Sequence, residues 1–408
     1  MLGLLRKSAT VTLDRLAGMV GWMGWGSSSG VTVNDYSAME VAAFFCGARS
    51  IAEGVAQMPA RVVRRDYDDA LGLEIMTPMR DHWAHRLFSR RPNEWQTPFE
   101  FVEGMVLCAV IGKGAIAIKN VVGGEVRELL PVPPGAWTVE QLADWSLRIR
   151  VDYDNKTHDY FDLSQVFYLR GPSLNGYEGL PVVRLAREAL GLSVALERQQ
   201  AKLAGNGGKP SGVLSFSAPL AKESREKLRE TWNSRFGSGG EGGIAVLDGD
   251  AKFYPITMTS VDAQFLETRR QQVEDMARFL RVQPIMMMQA DKAATYASAE
   301  QMFRVHVIHT LGPWVERLEQ AVQRDILGAD SDLSLDLDER NLMRGDFKDQ
   351  AEYYTKALGA GGQPGWMTPN EIRSEVGKNP ISEDWANTVP RGAMQPQEAS
   401  DGNQAPQP

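Results

Sequence analysis

Apolar positions at helical spacing begin at Val41 and continue through Phe45, Ala48, Ala52 and Val55, which share one face until Pro59 ends the run. Ser37, with Glu40 three residues later, reads as the capping box that opens this helix. Ahead of it, residues 1–36 join a short amphipathic stretch (Leu2, Leu5, Leu13, Leu16, Met19) to the run GWMGWGSSSG, which has the composition of a flexible arm. From about residue 100 to 170 the pattern turns β-rich, with Val, Ile and Ala runs. In WSLRIRVDY, alternation puts Trp145, Leu147, Ile149, Val151 and Tyr153 on one face.

Pro181 opens a long helix that runs to Gly205, about 36 Å at the α-helical rise. A charged helix near 220–236 and the Gly-rich loop 237–243 follow. Residues 244–247 and 251–258 then read as a hairpin turning at Asp248 and Gly249. Asp262 caps a further helix carrying Phe265, Val273, Met276, Phe279 and Leu280, closed by Pro284. After the loop PIMMMQADKAATYA, Ser298 and Gln301 form a box for a helix to Leu327, bent where Gly312 and Pro313 interrupt it. LSLDLD (333–338) alternates as a short strand, and a helix spans 346–358. Thr368, Pro369 and Glu371 are the cap, first-turn proline and box acid of a last short helix. Residues 385–408 are too polar to order themselves and read as a disordered tail.

These elements make a mixed α and β chain with unusually long helices. Its 43% hydrophobic and 24% charged residues are ordinary for a folded protein. No apolar window approaches the roughly 18 residues of a membrane span, and the amino terminus lacks the continuous apolar segment of a secretory leader. Cys46 and Cys108, in FFCGA and VLCAV, read as small buried hydrophobes rather than a disulfide. The net charge of −8 argues against a broadly basic nucleic-acid surface.

Catalytic chemistry finds little support. There is no G-x-x-x-x-G-K-[ST] cradle, and Gly112, Lys113 and Gly114 read as a turn. His82 with His85, and His306 with His309, are spaced i, i+3, but neither pair has further ligands at suitable spacing, so no metal is expected. The acidic group Asp330, Asp332, Asp336 and Asp338 lacks the glycine a calcium loop needs and reads as the wet side of a strand. GPSLNG approaches, but does not match, a nucleophile elbow. No enzyme activity, cofactor or small-molecule substrate is expected; the pattern favours a component of an assembly.

Eight strings carry a resemblance in one order: RRPNEWQTPFEFVEGM (90–105), ELLPVPP (128–134), GLPVVRLAREALGLSVALE (179–197), GNGGKPSGVLSF (205–216), DAQFLETRRQQVEDMARFLRVQP (262–284), TYASAEQ (295–301), LMRGD (342–346) and TPNEIRSEVG (368–377). Together they resemble the phage portal protein family in its long-tailed, Hong Kong ninety-seven type branch, over about residues 37–380. The chain departs from the family pattern at Gly112 to Ala117 and at Gln283.

The resemblance implies an α+β ring subunit divided in the family's manner: arm 1–36, wing 37–178, stem helix 179–205, clip 206–258, second stem helix 259–283, tunnel loop 284–297, tunnel helix 298–327, crown 328–384 and tail 385–408. It implies a homo-oligomeric ring, typically of twelve, at one vertex of the virion capsid, assembled in the host bacterial cytoplasm. Double-stranded DNA passes through its channel in packaging and ejection. The implied partners are the terminase large subunit, the major capsid protein and the head-tail connector or adaptor. Twelve copies would carry about −96, which would repel phosphate from an acidic channel; ordinary solubility charge is the alternative. The loop 284–297 places Met286, Met287, Met288, Gln289 and Lys292 at the DNA tunnel, the methionines as repackable contacts and the polar pair as weak phosphate contacts. Core packing of the three methionines is the other reading. From a different class, a peripheral membrane-associated scaffold using the amino-terminal arm is the alternative function.

Overall fold

The computed structural model describes residues 24–68, 73–153, 157–205, 212–215, 221–227, 230, 252–255, 261–289, 296–339, 342, 347–359, 363–376 and 378–390. Residues 1–338 and 339–408 form two units.

Part of the expected arm is built into the first unit. Strands β1 (Trp25–Gly26) and β2 (Thr32–Val33) form a small antiparallel hairpin, with Gly30 at φ 77 in its turn. Composition misjudges this segment because its partners lie far along the chain. The Ser28 N–H donates to the Glu188 carboxylate at 2.9 Å, and the Arg184 guanidinium lies 5.9 Å from the Trp25 ring. Asn34, rather than Ser37, starts the first helix, α1 (Asp35–Met39). Its side chain accepts from the Tyr36 and Ser37 N–H groups while Ser37, at the third helical position, completes the box. Helix α2 (Ala42–Ala56) follows without a side-chain cap. It buries Phe44, Ala48, Ile51, Ala52 and Val55, whereas Phe45, expected inside, faces out at 40% exposure.

Strands β3 (Ala60–Asp68) and β4 (Leu73–Pro78) pair antiparallel. Helix α3 (Trp83–Ser89) leads to α4 (Pro98–Ile111), where a β-rich run was expected. The Thr97 and Glu100 capping box and Pro98 in the first turn decide for helix, and the unbroken apolar run is a helix buried on most sides rather than a strand. Strands β5 (Ala115–Val122), β6 (Glu125–Pro131), β7 (Trp137–Gln141), β8 (Leu147–Asp152), β9 (His158–Asp162) and β10 (Val166–Leu169) then form two antiparallel sheets, ordered β10-β5-β6 and β7-β8-β9. Ile116, Trp137, Ile149, Val151, Val166 and Tyr168 join the two in one core cluster, against which Tyr153 packs. The expected alternation holds over Ile149, Val151 and Tyr153. Trp145 leaves it, at φ 68 in the β7-β8 turn and 81% exposed.

The long helix expected at 181–205 is two pieces, α5 (Val182–Leu185) and α6 (Arg187–Gly205), with Pro181 as the cap residue rather than the first helical one. Short strands β11 (Gly212–Ser215) and β12 (Lys252–Pro255) pair antiparallel. Residues 222–227 are helical within the expected charged segment. The Gly-rich loop 237–243 and the Asp-Gly turn lie outside the described residues. Helix α7 (Val261–Leu280) begins one residue before Asp262 and is held to α6 by Arg269, which donates to Glu197 and Gln200 at 2.9 and 2.8 Å.

Helix α8 (Tyr296–His306) takes in Ser298 instead of being capped by it. The expected bend at Pro313 is met by a π-helical turn, Val307–Leu311, ahead of α9 (Gly312–Val322). The wider turn accommodates a proline that cannot donate its own hydrogen bond. A second π turn, Gln323–Leu327, ends this helical stretch. The alternating strand β13 (Leu333–Leu337), grouped with the crown by the sequence, hydrogen-bonds along β3 from Leu333 opposite Arg64 to Leu337 opposite Ala60.

The second unit contains α10 (Phe347–Ala357) and α11 (Pro369–Glu375), the latter with the expected box of Thr368 and Glu371. Asn370 binds the Ile381 backbone through both its amide nitrogen and oxygen, each at 2.8 Å. A 3-10 turn, Asp384–Asn387, buries Ala386 at the start of the expected tail. Residues 391–408, like 1–23 at the other end, lie outside the described residues.

Candidate functional site: the methionine turn

Helix α7 ends in a left-handed cap without glycine. Arg281 takes φ 56, the Val282 N–H reaches the Ala277 carbonyl at 2.9 Å and the Arg281 N–H reaches Arg278 at 3.2 Å. This is the Schellman pattern, and Val282 and Ala277 are both buried as its hydrophobic contact requires. The Thr310 hydroxyl donates to the Arg281 carbonyl at 2.7 Å, tying the cap to the π turn.

A single 3-10 turn, Pro284–Met287, follows, and Met288 closes it at φ 61 and ψ 21. The Gln289 N–H reaches back to the Pro284 carbonyl at 3.1 Å and the Met288 N–H to Ile285 at 3.2 Å, repeating the first cap's pattern. Two non-glycine residues therefore hold left-handed backbone within eight positions, a strain of about 1 to 2 kcal/mol each.

The turn separates its three methionines. Met287 is buried, with its sulfur beside Gly47 of α2, where an added Cβ would stand 3.3 Å from Sδ and 2.6 Å from Leu280. Within the subunit its packing matches the core reading of this methionine, Gly47 leaving a gap that the thioether fills. Met286 is half-buried, and its carbonyl faces the Cys46 thiol at 3.6 Å. Gln289 is half-buried, and Met288 projects at 88% exposure. Lys292 lies outside the described residues. Beyond the turn, α8 exposes Met302, Phe303 and Val305, and Ile308 of the π turn is exposed as well. Only the opposite face of the π turn, with Val307, Thr310 and Leu311, is buried, Leu311 against Gly54 of α2.

The other sequence candidates fall into structural roles. Burial pushes His306 down to about 4, so it is neutral, and its i+3 neighbour His309 is exposed. His82 caps α3, its Nδ1 accepting from the Ala84 N–H at 3.2 Å. Asp332 and Asp338 pair with Arg64 and Arg61 across β3 and β13 at 3.1 and 2.9 Å. Lys113 sits 4.9 Å from the Trp137 ring and 3.7 Å from Glu178, with burial lowering its affinity for a proton. Burial pushes the Cys108 thiol up to about 12. Among the described residues, no group of three or more His, Cys, Asp or Glu is placed to hold a metal.

The sequence missed the loop ahead of α4. Asn93, 1% exposed, accepts from the Trp95 and Gln96 N–H groups and donates to the Leu129 carbonyl and the Gln96 side chain. This fixes a turn that presents Trp95 at 64% exposure.

The sequence model of the phage portal protein family matches residues 42–377. The chain belongs to that family. The portal protein of Enterobacteria phage HK97 is 27% identical to it over 361 residues, covering 86% of this chain and 81% of that one. Among solved structures, an HK97-family phage portal protein from Corynebacterium diphtheriae overlays with a TM-score of 0.58 at 16% identity, covering 78% of this chain and 98% of that chain. A chain in the neck of a native gene transfer agent particle, computed with C12 symmetry, overlays with a TM-score of 0.55 at 19% identity, covering 90% and 100%. The α+β fold expected from the eight strings is thus the portal fold, and the helices around the methionine turn lie inside the matched region.

Proposed function

We propose that this portal family member assembles into a ring of twelve at one capsid vertex and forms the channel through which double-stranded DNA enters during packaging and leaves at ejection. The observation that carries this reading is the family match, which spans the sheets β10-β5-β6 and β7-β8-β9, the α6 and α7 helices and the methionine turn together. Twelvefold symmetry is taken from the gene transfer agent neck. On this reading the subunit has no catalysis of its own, and the terminase large subunit supplies the energy of packaging. The head-tail connector and the major capsid protein are its other contacts in the virion, and assembly takes place in the host cytoplasm.

Within the ring, Met288 and Gln289, followed by Lys292, face the channel. Support comes from Met288, which combines a strained backbone with an exposed apolar side chain, a pairing that folding of the subunit does not favour. Lys292→Glu tests the channel assignment. Rings should form as in the unaltered chain, while DNA packaged or retained per particle changes. Unchanged packaging and retention would remove the loop from the channel.

A further inference from the structure

Two three-stranded sheets end on strands with an open side, β10 in one and β13 in the other. Such an edge leaves backbone donors and acceptors that need partners elsewhere. Both edges find them on the same helical stretch. At β10, the Tyr168 N–H donates to Asp325 Oδ2 at 2.8 Å, and Arg324 Nη2 donates to the Tyr168 carbonyl at 2.6 Å. A residue on a further antiparallel strand would offer Tyr168 the same acceptor and donor. Here two adjacent side chains replace it.

That pair is itself locked. Arg324 Nε lies 2.6 Å from Asp325 Oδ1, and Lys119 of β5 donates from Nζ to the Asp325 carbonyl at 2.5 Å. The Asp325 side chain is 8% exposed, so its bonds are charge-assisted in a mostly dry setting. At β13, the Leu337 N–H donates to Glu319 Oε1 at 2.8 Å. Glu319 lies on α9, and Asp325 on the π turn that continues it. Gln323, between them, donates to the Gly328 and Ser331 carbonyls at 2.9 and 3.2 Å.

The geometry points to Glu319, Arg324 and Asp325 as positioning residues that make residues 312–327 the shared edge of both sheets, so that the channel-side segment cannot shift without carrying the sheets with it. Just ahead of the stretch, Thr310 ties it to the α7 cap at the Arg281 carbonyl, and Leu311 ties it to α2. A displacement of the α7 cap, next to the methionine turn, is therefore delivered through α9 and its flanking π turns to two sheets. The functional meaning rests on the channel reading above; the mechanical coupling does not.

Hydrogen exchange of the full chain, read by mass spectrometry, tests it. Asp325→Ala should speed exchange around Tyr168 by about tenfold or more, as loss of a buried charge-assisted bond implies. It should also speed exchange at Leu335 to Leu337 and at Thr310 and Leu311. Glu319→Ala should act in the reverse direction, loosening Tyr168 as well as Leu337, and Glu319→Gln, which keeps the acceptor, should restore both. Changes confined to the strand next to each substitution would overturn the proposal and leave two local edge caps. Should Asp325→Ala fail to fold, Asp325→Asn, which keeps an acceptor but not the charge, decides by the same pattern at lower amplitude. If the unaltered chain forms no ring with or without capsid or scaffold protein, the channel reading fails while the exchange pattern still judges the coupling.

Discussion

Replacing Met288 by glycine should make the subunit slightly more stable while impairing what it does. Met288 holds φ 61 and ψ 21, where a side chain costs about 1 to 2 kcal/mol relative to glycine. Glycine offsets about 0.5 to 1 kcal/mol of that gain through the greater freedom of its unfolded chain. Little burial is lost, because the methionine is 88% exposed. The net expectation is a gain of up to about 1 kcal/mol, or a rise in Tm of about 2 °C in a unit of this size. Met288→Val should move the other way, since a β-branched side chain fits left-handed backbone worst. Thermal unfolding followed by tryptophan fluorescence reads both, and DNA retention in assembled particles should fall for the glycine variant although the subunit is no weaker. A loss of 1 kcal/mol or more in Met288→Gly would refute the reasoning, because it would mean that the side chain is packed.

Asn93→Ala should cost about 2 to 4 kcal/mol in urea unfolding, since it strips partners from the Trp95 and Gln96 N–H groups and the Leu129 carbonyl around a buried site. Burial pushes Glu319 up to about 7 from an ordinary 4.5, so the folded state keeps a proton that the unfolded chain releases. Stability should therefore decline as pH rises from about 4.5 to about 7. Glu319→Gln should flatten that part of the Tm profile, and an unchanged slope would count against it. Gly191→Ala would place a Cβ 2.2 Å from Ser27 Oγ, so limited proteolysis should cut within residues 24–33 faster while α6 stays folded.

Where sequence and structure agree, the signal is local and stereochemical. Thr368, Pro369 and Glu371 mark α11 to the residue, and the alternation of Leu333, Leu335 and Leu337 marks β13. Thr97, Pro98 and Glu100 carry the same signature as Thr368, yet the apolar Val, Ile and Ala run behind them hides the helix, because a helix buried on most sides loses its periodicity. The hairpin at residues 25–33 is illegible for a different reason: its composition is that of a linker, and its stability comes from Glu188, 160 positions along the chain. Strand β13 is legible as a strand but its partner β3 is not, as nothing local selects it.

At the candidate site, three consecutive methionines are chemically alike in the sequence. The left-handed caps at Arg281 and Met288, which break the usual preference for glycine there, separate the one that packs from the one that projects. Asp325 and Tyr168 stand 157 residues apart, so the edge they complete was beyond any motif.

Assembly is the property that tests the portal function most directly. Negative-stain electron microscopy of the purified full chain, with native mass spectrometry of the same sample, should show closed rings with a central hole and a mass near twelve times 45.1 kDa. Where the subunit needs capsid or scaffold protein to assemble, the same rings should form on adding it. A single 45.1 kDa species at every concentration and salt, with and without those proteins, would contradict the portal function proposed for this chain.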